Sequence, residues 1–268
     1  MRPFHAARAT YAGSLHCVVL LSSLLLAGVA DARDVLLLLP RDHQLFIEAY
    51  GDYTDLDGDG EVERSYRDSV EYGGYFHSDL CYAYDGATRR FEPQGLVDDP
   101  RESDGDTSYD HYCTTAGANG TSAAWSGNFL NWATTTRIDI VRKSLYGGYR
   151  STDTATMTVL ERAHLPGDAH SFAKYYNGAD LAKLTPHDAI RTDTANGGDA
   201  DGIDDANEGI TMCNTTYATA GSSQTLTAPP VMRVAQGNYS LWAANERRQC
   251  SFTDEFGTNS NSNNSAFS

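Results

Sequence analysis

The sequence predicts a loop-rich α+β domain, and three observations predict it. One long stretch, residues 125–154, carries apolar residues at helical spacing, while the strand-like apolar runs are short and scattered. Between them the chain is polar and rich in turn formers, with 24 glycines and 16 tyrosines in 268 residues. Four cysteines lie beyond an export-type leader, which places them in an oxidising compartment and makes disulfides the expected staples.

The leader comes first. Arg2 and Arg8 precede an apolar run at 18–30 that ends in Ala30-Asp31-Ala32. A basic start, a short apolar centre and a small-residue end describe a secretory signal peptide over residues 1–32. The run is too short for a membrane span, and Asp31, Arg33 and Asp34 close it. No membrane span is expected once the signal is removed. Residues 33–253 are expected to form the domain. Residues 254–268 end in TNSNSNNSAFS, a tract that buries nothing and reads as a low-complexity linker or tail. A chain stopping in a linker reads as truncated before a further domain.

The formal net charge is −16. So acidic a chain argues against nucleic acid or an anionic membrane as partner and fits one that uses divalent cations. DLDGDGEVE, residues 55–63, shows how. Asp55, Asp57 and Asp59 alternate, and Gly60 permits the curl that brings carboxylates onto one point. Clustered oxygens suit Ca²⁺, which takes about 6–8 of them. In an EF-hand-like count the aspartates hold positions one, three and five, and Glu61 offers its carbonyl at seven. Position twelve falls on Tyr66, so a full EF-hand is not expected; a shorter loop closed by Glu63 or Asp68 is. A second acidic stretch, residues 197–208, places Asp199, Asp201 and Glu208 at positions three, five and twelve, with Asp204 and Asp205 between them. Both loops are read as structural Ca²⁺ sites, with a solvated acidic turn the alternative for the first and a flexible acidic insertion for the second. The domain is thus expected to be calcium- as well as disulfide-stabilised.

Cys17 leaves with the signal, and Cys81, Cys113, Cys213 and Cys250 remain. Three pairings are open. The nearest-neighbour set, Cys81–Cys113 with Cys213–Cys250, is preferred because each pair brackets one loop-rich segment. Zinc is the weaker alternative, since no C-x-x-C occurs.

The remaining elements follow in order. DVLLLLP, residues 34–40, reads as a strand buried on both faces and ended by proline. Residues 41–50 extend it or form a helical turn. The tyrosine-rich region to about residue 125 is expected to hold short strands and loops, its aromatics forming satellite clusters. In the 125–154 stretch, Ser126 or Asn128 caps the helix, and Phe129, Trp132, Ala133, Ile140, Val141 and Leu145 make its buried face. Gly147 and Gly148 stop it, and Thr134, Thr135 and Thr136 lower its propensity. Residues 156–165 read as a strand or short helix, and 168–176 as a short amphipathic helix. After 191 the chain reads as loop until a strand at 231–235 and a helix near 238–248.

Catalytic signatures are missing from the sequence. His164 and His170 are six apart, so no H-E-x-x-H forms; Ser126 lies in AWSGN rather than G-x-S-x-G; there is no phosphate-binding or dinucleotide glycine pattern. The expectation is a non-enzyme, with no catalytic residues. A calcium-dependent extracellular hydrolase and a purely structural calcium-stapled domain are the alternatives.

Several blocks together resemble the N-terminal half of bacterial type IV pilus tip and assembly proteins of the PilC/PilY type: SGNFLNW (126–132), GGYRSTDT (147–154) and TVLERA (158–163), with the segment 55–93 before them. The resemblance covers about residues 34–250. It implies an exported, pilus-associated adhesin or assembly factor that supports pilus biogenesis, attachment and twitching motility. Its implied partners are pilin or minor pilin subunits and a host or abiotic surface. The implied location is the periplasm, outer membrane surface or pilus tip, reached through the inner membrane. Members carry a C-terminal β-propeller with a calcium loop, absent from these 268 residues. Some have a von Willebrand A-like N-terminal half, which here implies an incomplete α/β core. Its first strand would be 34–39 and its first helix 127–146, with the tyrosine-rich region inserted between them. PRDHQLF follows that strand instead of a D-x-S-x-S run, so a metal-dependent adhesion site of that type is not expected.

Overall fold

The computed structural model describes residues 43–51, 55–56, 58, 60, 62, 65–101, 109–114, 124–165, 172–187, 209–216, 229–238 and 250. The expected strand at 34–40 and helix near 238–248 lie outside these residues. All of them fall in the compact unit Arg41–Ser268. The fold is a small α/β domain of antiparallel sheets with two disulfides.

A 3₁₀ turn at His43–Leu45 stands where a strand extension or helical turn was expected. Strands β1 (Leu80–Asp85) and β2 (Arg90–Leu96) form a hairpin. A bulge between Cys81 and Tyr82 shifts their register. A two-residue strand β3 (Trp125–Ser126) pairs with β1 on its other side, giving the order β2-β1-β3. The hairpin β4 (Arg150–Asp153) and β5 (Thr158–Leu160) resolves residues 156–165 in favour of a strand. The third sheet has the order β6-β7-β8: β6 (Phe172–Tyr176), β7 (Ile210–Thr215) and β8 (Val231–Gln236). The strand expected at 231–235 is therefore present.

The 125–154 stretch is two helices rather than one. Helix α1 (Gly127–Thr134) is capped by Ser126, whose hydroxyl accepts the Phe129 N–H. Thr135 and Thr136 are extended, and α2 (Arg137–Tyr146) then restarts. Two forces break the run. The threonines favour extended backbone. Segment 47–49 also supplies partners for the break: Ala49 N–H donates to Thr135 O and Arg137 N–H to Ile47 O. Thr136 then caps α2, accepting the Asp139 N–H and donating its hydroxyl to Asp139 at 2.6 Å. Because α2 restarts with its own phase, Leu145 is 57% exposed rather than buried.

Residues 172–176 form a strand, not the expected amphipathic helix. Phe172, Lys174 and Tyr176 alternate inward, and all three are buried. A lysine on the inward face hid the alternation. Its ammonium is satisfied by Tyr50 O and lies 5.1 Å from the Trp132 ring centre. Strand β7 falls in a stretch read as loop. All six of its residues are buried, and its polar side chains find partners: Thr211 donates to Gly237 O at 2.6 Å and Asn214 to Ala133 O at 2.7 Å.

The aromatics of the tyrosine-rich region are the main core rather than satellites. Tyr66, Tyr72 and Tyr82 pack with Trp125, Phe129 and Trp132 of α1 and its entry. Tyr66 alone makes ring contacts with Tyr72, Phe129, Trp132 and Tyr176. Helix α1 is buried on every side, which explains Gly127. A methyl there would meet the backbone oxygens of His77 and Leu80 and the Tyr82 ring. A short additional helix, α3 (Leu181–Leu184), inserts Leu181 and Leu184 into the same core.

The structure joins Cys81 to Cys113 and Cys213 to Cys250, the nearest-neighbour pairing, with Cα separations of 5.8 and 5.4 Å. The first bond sits with Val97 and Ala124 in a small cluster, the second with Ala235 and Ala173.

Candidate functional site

Buried polar side chains on α1 organise the surface. Asn128 and Asn131, three apart, face the segment 66–76 and read its backbone. Asn128 accepts the Tyr72 N–H at 2.8 Å and donates to Val70 O and to the Tyr66 hydroxyl at 2.9 and 3.1 Å. Asn131 accepts the Phe76 N–H at 3.0 Å and donates to Tyr72 O and Phe76 O at 2.8 and 3.0 Å. The two amides take the place of a sheet partner for a segment that has none among the described residues. Asn128 does not cap the helix; Ser126 does. The role of the asparagines was missed in the sequence. The signal was there: two amides, three residues apart, on a helix otherwise apolar enough to be fully buried.

A second polar layer supports the same segment. Tyr66 donates to Asp68 at 2.9 Å, and buried His111 places Nδ1 3.0 Å from Asp68 O. Tyr112 and Tyr176 both donate to Asp180. Burial, reinforced by the Asp180 charge, pushes the Tyr112 hydroxyl up to about 12. These groups hold elements together, and the tyrosine hydroxyls among them, raised by burial, stay neutral near pH 7.

The clamped segment forms one wall of a groove of about 640 Å³. Tyr75 and Phe76 line that wall; Arg90, Phe91, Glu92 and Pro93 of β2 line another. Residues 157–162, β5 and its flanks, face them; Pro229, Pro230 and Met232 also line it, as do Arg89 and, from the helix break and α2, Thr134, Thr135 and Asp139. The volume is that of a ligand site, with an apolar floor and a few placed charges. Burial raises the Tyr75 hydroxyl to about 12, so it remains a neutral hydrogen-bonding group there, accepting the Tyr149 N–H at 3.2 Å.

The charges of the groove are unevenly satisfied. Glu92 pairs with Arg90 at 2.6 Å. Asp139 accepts the Ala163 N–H at 3.0 Å as well as the Thr136 hydroxyl. Glu161 lies 3.1 Å from His164 Nε2. Arg162 differs: its Nη2 donates to Thr215 O and Val231 O at 3.2 and 2.8 Å, while its Nη1 is shut from solvent with no hydrogen-bond partner among the described residues. Burial lowers its pKa to about 10, against the opposing charge of Asp139, and it stays cationic at neutral pH. No sequence motif pointed to Arg162 or to the groove.

Of the sequence-predicted calcium ligands, Asp55 and the alternative closing residue Asp68 are described; Asp68 Oδ1 accepts from Tyr66 and lies 3.2 Å from His111 Nδ1. For Asp55 the geometry is that of a turn: its two carboxylate oxygens accept the N–H groups of Gly58 and Gly60 at 2.6 and 3.1 Å. Both glycines have positive φ, 81° and 89°, the curl that the alternating aspartates require. Asp57, Asp59, Glu61, Glu63, Asp199, Asp201, Asp205 and Glu208 lie outside the described residues. Among the described residues no group of three or more carboxylates, histidines or cysteines is placed to share a metal. Nor is any helix among them long and apolar enough to cross a membrane.

Comparison with known proteins adds to this geometry. A family model described as "PilY1 homolog, small alpha/beta domain" matches residues 63–235, which include both asparagines, the groove and all eight strands but for Gln236. Two curated relatives are similar, each called type IV pilus biogenesis factor PilY1 homolog, from Xylella fastidiosa (strain Temecula1). One is 38% identical over 159 residues, covering 56% of this chain and 9% of that protein. The other is 41% identical over 100 residues, covering 37% of this chain and 7% of that protein. The chain thus corresponds to a small part of the length of these relatives. No solved structure matches.

Proposed function

Because the chain belongs to the family of PilY1 homologs, matching their small alpha/beta domain, we propose that it is the N-terminal part of an exported type IV pilus-associated factor. It acts as a binding and assembly module rather than an enzyme, supporting pilus biogenesis, attachment and twitching motility. Its partners are pilin or minor pilin subunits and, at the tip, a host or abiotic surface. It works in the periplasm, at the outer membrane surface or on the pilus tip, and residues 1–32 are the export signal. The observation that carries this reading is the continuous match over residues 63–235. The buried arrangement supports it, since the asparagines of the signature SGNFLNW commit their amides to the backbone of the segment whose Tyr75 and Phe76 wall the groove.

Deleting residues 63–235 from the full-length protein in its own bacterium tests the proposal. Surface pili and twitching zones are expected to fall sharply. Piliation, twitching and attachment all at parental level would refute it. If pili still assemble but purified pili no longer adhere, the domain is an adhesive surface. If assembly fails while the few pili formed adhere normally, it is a structural part.

Calcium belongs to the same proposal. Asp55, Asp57 and Asp59 hold one Ca²⁺, with the Glu61 carbonyl and Glu63 as further oxygens, and the 199–208 loop offers Asp199, Asp201, Asp205 and Glu208. The Asp55 carboxylate, gathered by two glycine amides, fits such a loop and keeps lone pairs free for a cation. Three carboxylates on one turn repel each other in a chain of net charge −16, and a divalent cation reverses that. Affinity of about 10⁻⁴–10⁻³ M is expected, as for extracellular modules. Calorimetry on residues 33–268 should show calcium heat and thermal stabilisation that Asp57→Ala and Asp59→Ala remove. Unchanged heat in both variants would place the ion elsewhere.

A further inference from the structure

Pairing is uneven among the charges of the groove. Arg90, Arg101, Arg142 and Arg150 each sit within 4.0 Å of a carboxylate. Arg89 and Arg162, which both line the groove, make no ion pair among the described residues. The carboxylates that share the lining, Glu92, Asp139 and Glu161, already have partners. Three arginines and three carboxylates share the lining, so the groove is formally neutral in a chain of net charge −16, and two of its guanidiniums lie outside any ion pair among the described residues.

Arg89 carries a further sign. It has φ 57°, a left-handed backbone that a non-glycine residue adopts only at a cost. It closes the β1–β2 turn, whose start is fixed by Asp85 accepting from Ala87 N–H and the Thr88 hydroxyl. Glycine would suit the position better. The arginine is half-buried and lines both the large groove and a second cavity of about 80 Å³ beside Tyr84 and Trp125.

The groove walls also include two strand edges. Among the described residues β2 pairs only with β1, and β5 only with β4. Alternate residues of each therefore direct backbone C=O groups and, except at Pro93 of β2, N–H groups away from their partner strand, the arrangement that an added strand completes. We propose that this groove binds an extended acidic peptide segment of a partner protein, laid along the β2 or β5 edge with its carboxylates drawn to Arg89 and to the buried charge of Arg162. Apolar side chains of the segment rest on Phe76, Phe91 and Met232. The inference goes beyond the pilus reading, because it is measured on the purified chain alone.

The probe is a fluorophore-labelled, capped hexapeptide of alternating valine and glutamate, titrated with the purified chain and followed by anisotropy. Versions with glutamine or lysine in place of glutamate are the comparisons. The glutamate peptide is expected to bind at least fivefold more tightly than the glutamine one, and the lysine peptide not at all. Arg89→Gly should bring the glutamate peptide down to the level of the glutamine peptide, while its urea midpoint stays the same or rises. Arg89→Asn, which also tolerates the left-handed backbone, provides the second variant should the first not fold. Equal affinity for the glutamate and glutamine peptides, or parental affinity in the Arg89 variants, overturns the proposal. Binding of an acidic polysaccharide such as polygalacturonate with no binding of the glutamate peptide overturns it as well.

Discussion

Asn131→Leu is expected to destabilise the domain by about 3–5 kcal/mol, although the two side chains are similar in size. The amide makes three hydrogen bonds of 2.8–3.0 Å to the backbone of Tyr72 and Phe76, and it is 1% exposed. Leucine keeps the volume but leaves one N–H and two C=O groups without their partner. Each such buried group costs about 1–3 kcal/mol, and the half-buried position of Phe76 reduces the total from the top of that range. Urea denaturation checks the magnitude, and hydrogen exchange checks the cause. The amide of Phe76 should lose protection beyond what global destabilisation explains, because its segment has no sheet partner among the described residues to fall back on, while that of Tyr72, bonded to Asn128, should lose less. A loss below about 1 kcal/mol, or a uniform loss of protection across the domain, would show that the segment is held by its aromatic packing instead. Asn128→Leu should act in the same direction, and the double variant should cost less than the sum, since both side chains hold the same segment.

How much of this was legible in the sequence depends on where polarity lay. Helix α1, strand β8 and the pairing of the cysteines could be read, because apolar spacing, β-branched runs and proximity all pointed the same way. Strand β6 could not, since Lys174 occupies an inward position and is neutralised by Tyr50 O and the Trp132 face, partners more than 40 residues away. Strand β7 was lost for the same reason: Thr211 and Asn214 are buried polar residues whose partners, Gly237 O and Ala133 O, are visible only in three dimensions. The threonines at 134–136 did warn of weak helix propensity. That they end one helix and cap the next depends on segment 47–49, which propensity does not know about. The tyrosines were underrated because each can serve core or surface. Burial of Tyr66 and Tyr72 follows from the asparagines and hydroxyl partners that satisfy their polar surroundings. The groove had no signal at all: its walls come from separated segments, and Arg89 and Arg162 are ordinary arginines until the fold places them in its lining outside any ion pair among the described residues.

Removal of either disulfide should cost about 3–4 kcal/mol, and removal of both should leave the chain at or near the unfolding threshold. The loops closed are similar, with sequence separations of 32 and 37, so the chain-entropy contributions are nearly equal. Two such losses are of the order of the whole stability of an ordinary domain, about 5–15 kcal/mol. Cys81→Ser with Cys113→Ser, and Cys213→Ser with Cys250→Ser, isolate the two effects, with urea midpoints as the measure. What entropy cannot distinguish, context can. Cys81 lies in the central strand of the first sheet, beside its bulge, so its loss also disturbs Val97 and Ala124. Cys213 is the middle of a fully buried strand, and its bond ties residue 250 to the third sheet, where Arg233 also holds the Cys250 carbonyl. All four cysteines are at most 1% exposed, so a reductant reaches them only when the structure opens. Reduction under native conditions should therefore be slow and should accelerate with urea in proportion to the opened fraction. Fast reduction of one bond without urea would mean that its part of the domain opens by itself, and equal urea midpoints with and without reductant would mean that neither bond stabilises the fold.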